Sequence, residues 1–509
     1  MNGHLITWMV LLPLLGAILQ AFVGPSRDAV GGARGQMSLW IALGASLAST
    51  LCGIILVWSM AGQGPEVAAN EVLPWVGSFA ISYDMAVDGL NVLPVLLIAI
   101  IFPLLVASEW KQKQGRRGIQ GLLLVLQASL AGTVCAQDLF LLFFFWALSA
   151  LPFYFLIGIW GGQNRQVSAF RFITVSTIGN ALLFGALILL YYAGDPHSFS
   201  LKDLAGGKVE LETFRLLGQP LPVASVAFGL ISAGLALRAP VWPLHSWFTQ
   251  AADEAPPSVF VALCAVAVPV ATYIFIRLSY SLFPATLEHA AEAVVVIGSI
   301  SLVIGGFSAL AQRNLRSLLA YICLSGVGLI LIGLGSRNTV GVVGAIYQQL
   351  ALGLGLAGFG LFSGILHRRT GRTEFVDLQG NSTLGGVAIQ APVMALVAGV
   401  IIASLLGFPG LGGFVGQGLL LIGSFSSHPV AVLIAGASLL LATYYLFQMF
   451  RFVFLGQPVN GGTELEDLSL WERAYLLPLV GCLLLFGLYP KPLIELVRPS
   501  VQSLISTVK

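Results

Sequence analysis

Charge is what this sequence has least of. Only 9% of its 509 residues are Asp, Glu, Lys or Arg, where soluble domains carry about 25%. With 57% hydrophobic residues, the chain cannot cover a soluble surface, so its solvent is a lipid bilayer. A net charge of +2 is too small to indicate a nucleic-acid partner. Clustered thiols are missing too. Cys52, Cys135, Cys264, Cys323 and Cys482 all fall inside apolar runs and none forms a C-x-x-C pair, which argues against disulfides and a thiolate metal centre. Each of the six histidines stands alone in sequence. There is no H-E-x-x-H, no Walker loop and no G-x-S-x-G.

What is present is apolar sequence in span-length pieces. A crossing needs about 20 apolar residues, and that window gives about fourteen segments joined mostly by short connections. The first, "LITWMVLLPLLGAILQAFVG", has no Lys or Arg before it and exceeds the roughly 7–15 residues of a signal-peptide core. It reads as a retained transmembrane helix. The two largest loops, around Gly62 to Val87 and Gly194 to Gly218, have room for a hairpin or a surface helix and no soluble domain. Basic residues follow the first, third, fifth, ninth and eleventh spans: Arg27 and Arg34; Lys111, Lys113, Arg116 and Arg117; Arg165 and Arg171; Arg313 and Arg316; Arg368, Arg369 and Arg372. Lys202, Lys208, Arg215, Arg337, Lys491, Arg498 and Lys509 run against the trend. The balance puts the basic loops in the cytoplasm and both termini outside.

Two apolar segments are too long for one straight span. Pro220 to Phe248 contains Pro240 and Pro243, and Val387 to Phe425 contains "GFPGLGG" (Gly407 to Gly413), with Pro409 and Gly410. Proline removes a donor and clashes with the preceding turn, and glycine lets the backbone unwind. Each segment is the fourth of five in a unit, which is the sequence signature of inverted repeats with broken helices. Unwound backbone at membrane depth is tolerated only inside protein or along a wet cavity. The boundaries expected are an N-terminal part over 1–110, a first five-helix repeat over 111–285, a second over 286–460, and a last helix over 461–509. The fold class is all-α and polytopic, with broken helices seven and twelve.

Charges inside a membrane are costly and mark function by default. Arg238 is the strongest candidate, although it could end a shorter span and snorkel to the surface. His245, Gln348, Gln349 and Gln417 are further ion-path candidates, and each glutamine could equally make a structural hydrogen bond between helices. Asp138, before "LFLLFFFW", reads as a helix N-cap, and Asp253 and Glu254 as a surface turn. "GLGLAG" (Gly353 to Gly358) matches a dinucleotide fingerprint only literally, since it lies inside span eleven. Small residues for close helix packing explain it better.

These stretches together resemble a known family. "APVWPLHSWFTQAADEAPPSV", "DLFLLFFFWALSALPFYFLIGIWGG", "NLRSLLAYICLSGVGLILIGL", "GFPGLGGFVGQGLLLIGSF" and "YDMAVDGLNVL" are similar to motifs of the antiporter-like subunits of respiratory complex I. Subunit M matches best, with the multisubunit sodium/proton antiporters as relatives. The resemblance implies fourteen helices, a place among other membrane-arm subunits, and no cofactor of its own, with quinone and redox centres in partners. It also implies a proton site, and here the chain departs. Where the family has a glutamate in helix five stands Ala147. For the lysine of helix seven stands Arg238, for the helix-eight lysine Pro269, for the helix-eleven histidine Leu352, and for the titratable residue of helix twelve Gln417. Alanine, proline, leucine and glutamine cannot exchange protons, and arginine stays protonated.

Beside a purely structural spacer, two function classes therefore remain open. One is an antiporter-like subunit of a complex I-like quinone oxidoreductase in the cytoplasmic membrane, itself without redox chemistry and pumping weakly or not at all. The other is a proton or cation channel subunit of a different complex, such as an inorganic-carbon, hydrogenase-linked or Mrp-type assembly. Without the helix-five carboxylate, Arg238 should be held by carbonyls of the Pro240 turn, by water, or by a neighbouring subunit's acid.

Overall fold

A computed structural model describes residues 4–23, 33–63, 69–110, 118–194, 197–205, 212–216, 219–377, 379–456 and 465–506. The loop with Lys111, Lys113, Arg116 and Arg117, as well as Arg27, Lys208 and Lys509, lies outside them. Two helices, α1 (Leu5–Val23) and α2 (Ala33–Gln63), lead into an antiparallel hairpin of β1 (Ala69–Val76) and β2 (Ile81–Val87). The hairpin ties down the first helix. Glu71 of β1 accepts from the free N–H groups of Ile6 (2.8 Å) and Thr7 (3.1 Å) at the start of α1, satisfying donors that a helix leaves open.

Three helices follow, α3 (Val92–Ser108), α4 (Ile119–Cys135) and α5 (Leu139–Trp160). Asp138 is the N-cap of α5, accepting from Phe140 N at 2.9 Å and Leu141 N at 3.1 Å. Its other oxygen takes Ser82 N of β2 at 3.2 Å, so one buried carboxylate fastens the hairpin to α5. Next come α6 (Arg165–Ala193), the short α7 (Leu201–Leu204), and a second hairpin of β3 (Thr213–Leu216) and β4 (Gln219–Pro222). Both large loops thus hold hairpins.

The seventh apolar segment is split into α8 (Val223–Arg238) and α9 (Ser246–Glu254). The eighth runs from Pro257 to Leu282 as α10 (Pro257–Val261), a π-turn at Ala262–Ala267, and α11 (Val268–Leu282). The second unit comprises α12 (Pro284–Leu310), α13 (Leu315–Gly335), α14 (Thr339–Thr370), the one-turn α15 (Val387–Gln390), the split pair α16 (Pro392–Leu405) and α17 (Gly412–Phe425), and α18 (Pro429–Phe454). The chain ends with α19 (Leu470–Leu488) and α20 (Lys491–Ser506).

Among the described residues ten helical stretches, Pro257–Leu282 counted as one, are long and apolar enough to cross a membrane singly, and α3, α4, α8, α16 and α17 are shorter apolar helices. This is a multi-pass membrane protein. The stretch Pro257–Leu282 and α14 form its centre, with 100% and 94% of their spanning windows buried, while α19 keeps only 22% inside. Glycine sets how closely the central helices approach. A Cβ on Gly179 of α6 would stand 2.7 Å from the Gly234 carbonyl of α8. In "GLGLAG", a Cβ on Gly353 would stand 2.6 Å from the Ala265 carbonyl in the π-turn. The glycines of that motif are packing residues, and all five cysteines are free.

Candidate ion-path site at the two broken helices

The first break begins where Pro240 cannot donate. The last helical bond of α8 runs from Ala239 N to Leu235 O at 2.7 Å. The chain then crosses Pro240 and Pro243 in tight turns, Val241 N to Ala239 O at 2.8 Å and Leu244 N to Val241 O at 2.7 Å, before α9 starts at Ser246. Trp242 N is satisfied from outside, by Ser301 Oγ of α12 at 3.1 Å. His245 sits at the end of this turn, its Nδ1 buried without a partner and its ring 6.3 Å from that of Tyr321.

Arg238 is the last residue of α8 and only 4% exposed, so it does not snorkel. Among the described residues its partners are neither the Pro240 turn nor an acid. Its Nη1 donates to the Trp146 carbonyl of α5 at 2.8 Å and its Nη2 to Ser149 Oγ at 2.9 Å. The guanidinium lies over the Trp146 ring, 3.8 Å from its centroid. Ser149 in turn donates to the same carbonyl at 2.7 Å. A carbonyl, a hydroxyl and an aromatic face thus take the role expected of a carboxylate. Each bond to a charged donor contributes about 1.5–3 kcal/mol and a desolvated cation–π contact about 2 kcal/mol. The support comes from helix five because a planar guanidinium both forks onto oxygens and stacks on rings. Helix five offers both through Trp146 and Ser149.

Ala147, one residue along, faces elsewhere. With Thr177 and Asn180 of α6 it lines a cleft of about 360 Å³ between α5 and α6. Asn180 Oδ1 is buried there without a partner.

The second break is made differently. Leu406 to Leu411 unwind between α16 and α17, with Gly407 at φ 73° and Gly410 at φ 88°, a conformation that side chains with a Cβ resist. Pro409 lies between them. Gln417 of α17 reaches back to donate from Nε2 to the Leu405 carbonyl at 3.2 Å, joining the two half-helices. Gly487 of α19 packs against the turn so closely that its Cβ would stand 2.3 Å from Gly410 O.

Gln348 and Gln349 sit side by side on α14 but face opposite ways. Gln349 Nε2 donates to Thr272 Oγ1 of α11 at 2.9 Å. Gln348 Oε1 lies against Gly416 of α17, 2.4 Å from where a Cβ would be. The Oε1 atoms of both glutamines and Ser404 Oγ are buried without partners. Pro269 is the second residue of α11, one residue past the π-turn. Leu352 fills the hollow over Gly326 of α13, its Cδ2 2.4 Å from the missing Cβ.

Several functional-looking residues escaped sequence reasoning. Trp146 and Ser149 are an ordinary aromatic and an ordinary small residue until Arg238 meets them. Arg277 of α11 is hydrogen-bonded to Asp88 and Gln137, joining the β2–α3 and α4–α5 connections to α11. Its signal was the acid in "YDMAVDGLNVL". Asp253 and Glu254 require a correction, because they form a helix end at the surface and not a turn. They end α9, where Asp253 Oδ1 accepts from Ser317 Oγ at 2.5 Å and Glu254 Oε2 accepts from Asn164 N at 3.0 Å. Among the described residues no group of three or more His, Cys, Asp or Glu could hold a metal ion.

The comparisons with known proteins agree with this architecture. The family described as NADH:quinone oxidoreductase/Mrp antiporter, TM matches residues 136–443, more than half of the chain. NADH-quinone oxidoreductase subunit M of Rhodobacter capsulatus is 29% identical over 504 residues, covering 99% of this chain and 96% of that protein. A chain of respiratory complex I from Thermus thermophilus superposes with a TM-score of 0.85 at 23% identity, covering 98% of this chain and 100% of its own. A chain of the Mrp complex from Dietzia sp. gives 0.83 at 20% identity, covering 100% and 99%.

Proposed function

This chain belongs to the NADH:quinone oxidoreductase/Mrp antiporter transmembrane family, and on that premise we propose that it is a subunit-M-type, antiporter-like member of a quinone-linked membrane complex that keeps the family's scaffold without its titratable axis. The observation that carries this reading is the Arg238 site. A carboxylate–amine pair works as a proton site because each group's proton affinity answers to the other's charge. Here the cation is an arginine, its partners are the Trp146 carbonyl and Ser149 hydroxyl, and none of these releases a proton near neutral pH. Gln417 and Gln349 likewise exchange hydrogen bonds and no protons. Leu352, seated over Gly326, puts apolar packing where the family has a histidine. A fixed positive charge at the first break also repels cations. The subunit is a structural part of the membrane arm, and its partners carry the quinone and the redox centres.

The rest of the organisation follows the same reading. The repeats divide at 111–285 and 286–460. The shorter apolar helices supply the remaining crossings to make fourteen, with each broken helix counted once. Both termini lie on the outer side of a bacterial inner membrane. Outside-only cysteine labelling at Gly64 but not at Gln114 is the expected pattern, and the reverse refutes it.

Protons moved per electron pair in the assembled complex, reconstituted in liposomes, tests the function. Arg238→Ala and Gln417→Ala should leave that ratio unchanged while lowering assembly or stability. A lower ratio with redox turnover intact sinks the proposal. The family spans both complex I and Mrp antiporters, so a second reading is an Mrp-type subunit. Proteins co-purifying with the tagged chain separate the two.

A further inference from the structure

The last crossing helix, α19, follows both five-helix units, and only 22% of its spanning window is buried in the bundle. Its contacts nevertheless land on the backbone of the second broken helix. A Cβ on Gly487 would overlap the Gly410 carbonyl oxygen and the Leu411 backbone, and backbone cannot move aside as a side-chain tip can. Glycine at 487 is what lets α19 lie directly on the turn. A Cβ on Gly412, where α17 begins, would stand 3.7 Å from both the Leu483 carbonyl and Phe486 Cβ. The Phe486 carbonyl itself has no helical donor, because the residue four positions on is Pro490, which has no N–H. The Tyr347 hydroxyl of α14 fills that place, donating to Phe486 O at 2.6 Å.

The two ends of this crossing are fixed elsewhere. At its start Ser469 and Glu472 form a capping box, and Glu472 pairs with Arg369 of α14. Trp471 Nε1 donates to the Ala107 carbonyl of α3 at 3.0 Å. Beyond its end, α20 lays Leu496 and Ser500 against Gly89 in the β2–α3 connection. Between these anchors α19 buries Tyr475, Leu476, Leu479 and Leu483, while Gly481 meets nothing within 4 Å. The helix is held at both ends and touches the unwound turn through Gly487, with one hydrogen bond beside that contact.

We propose that α19 is a strap that seals the Gly410–Gly412 backbone of the second broken helix, with Gly487 as the contact that lets it close and Tyr347 as the latch that keeps it closed. Unwound backbone at membrane depth must be buried in protein or line a wet cavity. The strap supplies the first condition, and releasing the latch exposes the turn to the second. The proposal does not depend on whether the subunit moves protons.

Hydrogen–deuterium exchange of the full-length protein in nanodiscs, read by mass spectrometry, tests the strap. Tyr347→Phe removes only the latching hydroxyl and should speed exchange of peptides across Gly407–Gly413 about fivefold, the size of one hydrogen bond. Gly487→Leu forces α19 off the turn and should speed it more than about tenfold. Peptides across Val241–His245 at the first break, and those of α13, should keep their wild-type rates. Equal acceleration at both breaks overturns the proposal, because it reports general loosening. Unchanged exchange across Gly407–Gly413 in Tyr347→Phe overturns it as well, and that variant decides alone if Gly487→Leu does not fold.

Discussion

The two broken helices occupy the same place in their repeats, yet they are built from different chemistry. Helix seven is stopped by proline and carries a charge. Pro240 ends α8 by withholding a donor, and Arg238, immediately before it, is anchored sideways onto α5 through Trp146 and Ser149. Helix twelve is stopped by glycine and is neutral. Gly407 and Gly410 take positive φ, and Gln417 stitches α17 back to α16. One break is stabilised by a neighbouring helix, the other from within. The comparison shows that the inverted-repeat fold requires a pair of unwound points but not a particular charge at either one.

The starts of the two broken helices differ as well. α8 begins after Pro222 with no side-chain cap. α16 begins at Pro392 and is capped from a distance by Asp467, which accepts from Val393 N at 2.9 Å and Met394 N at 3.0 Å. Partial burial pulls the Asp467 carboxyl up. The backbone N–H groups of Val393, Leu468 and Met394, with Arg473 nearby, outweigh that and hold it below the usual carboxylate range.

The sharpest way to break the contrast is at the glycine turn. Gly413→Ala would place a Cβ 1.9 Å from the Ser404 carbonyl. Backbone cannot yield as a side chain tip can, so the loss should be about 3 kcal/mol, read as a fall in Tm of the purified protein. Next comes the arginine. Arg238→Ala removes the stacked guanidinium and leaves a cavity beside Trp146, costing about 2 kcal/mol. Arg238→Met should recover most of that loss, because replacing a buried charge with an apolar residue of similar volume is often neutral or stabilising. If methionine is worse than alanine, the charge has a role that its neutral partners do not explain.

A smaller effect is expected at the cap. Asp467→Ala should lower stability by about 1 kcal/mol at pH 7. The carboxyl is held below its ordinary range in the folded protein, so its contribution is present above about pH 4 and fades as the pH falls through the folded-state value. The difference between Asp467→Ala and wild type should shrink in acid. A difference that grows there refutes the capping role. Smallest of all is Gln349→Leu, which gives up one hydrogen bond to Thr272 but also removes an unpartnered oxygen. The change in Tm should correspond to less than about 1 kcal/mol, and a larger loss would reveal a bound water that joins α11 to α14.

How much of this was legible in the chain differs between breaks and partners. Composition forced the membrane, because so few charges cannot clothe a soluble surface. Length together with Pro240 and Pro243, and with Gly407 to Gly413, located both breaks, because a missing N–H and a missing Cβ act on the backbone where they stand. Asp138 was readable as a cap for the same local reason. Nothing local, by contrast, pointed from Arg238 to Trp146 and Ser149, which lie 92 and 89 residues away in sequence. Nor did the neighbours of Asp253 and Glu254 show that both would fasten α9 to other helices. Gln348 and Gln349 are adjacent and identical in type, and only the packing of α14 between α11 and α17 turns one toward Thr272 and the other toward Gly416. The sequence by itself determined where the backbone must cross and where it must unwind. Which oxygens and rings receive each buried polar group was decided by tertiary structure, because a hydrogen bond in hydrocarbon goes to whatever acceptor the packed helices bring within about 3 Å.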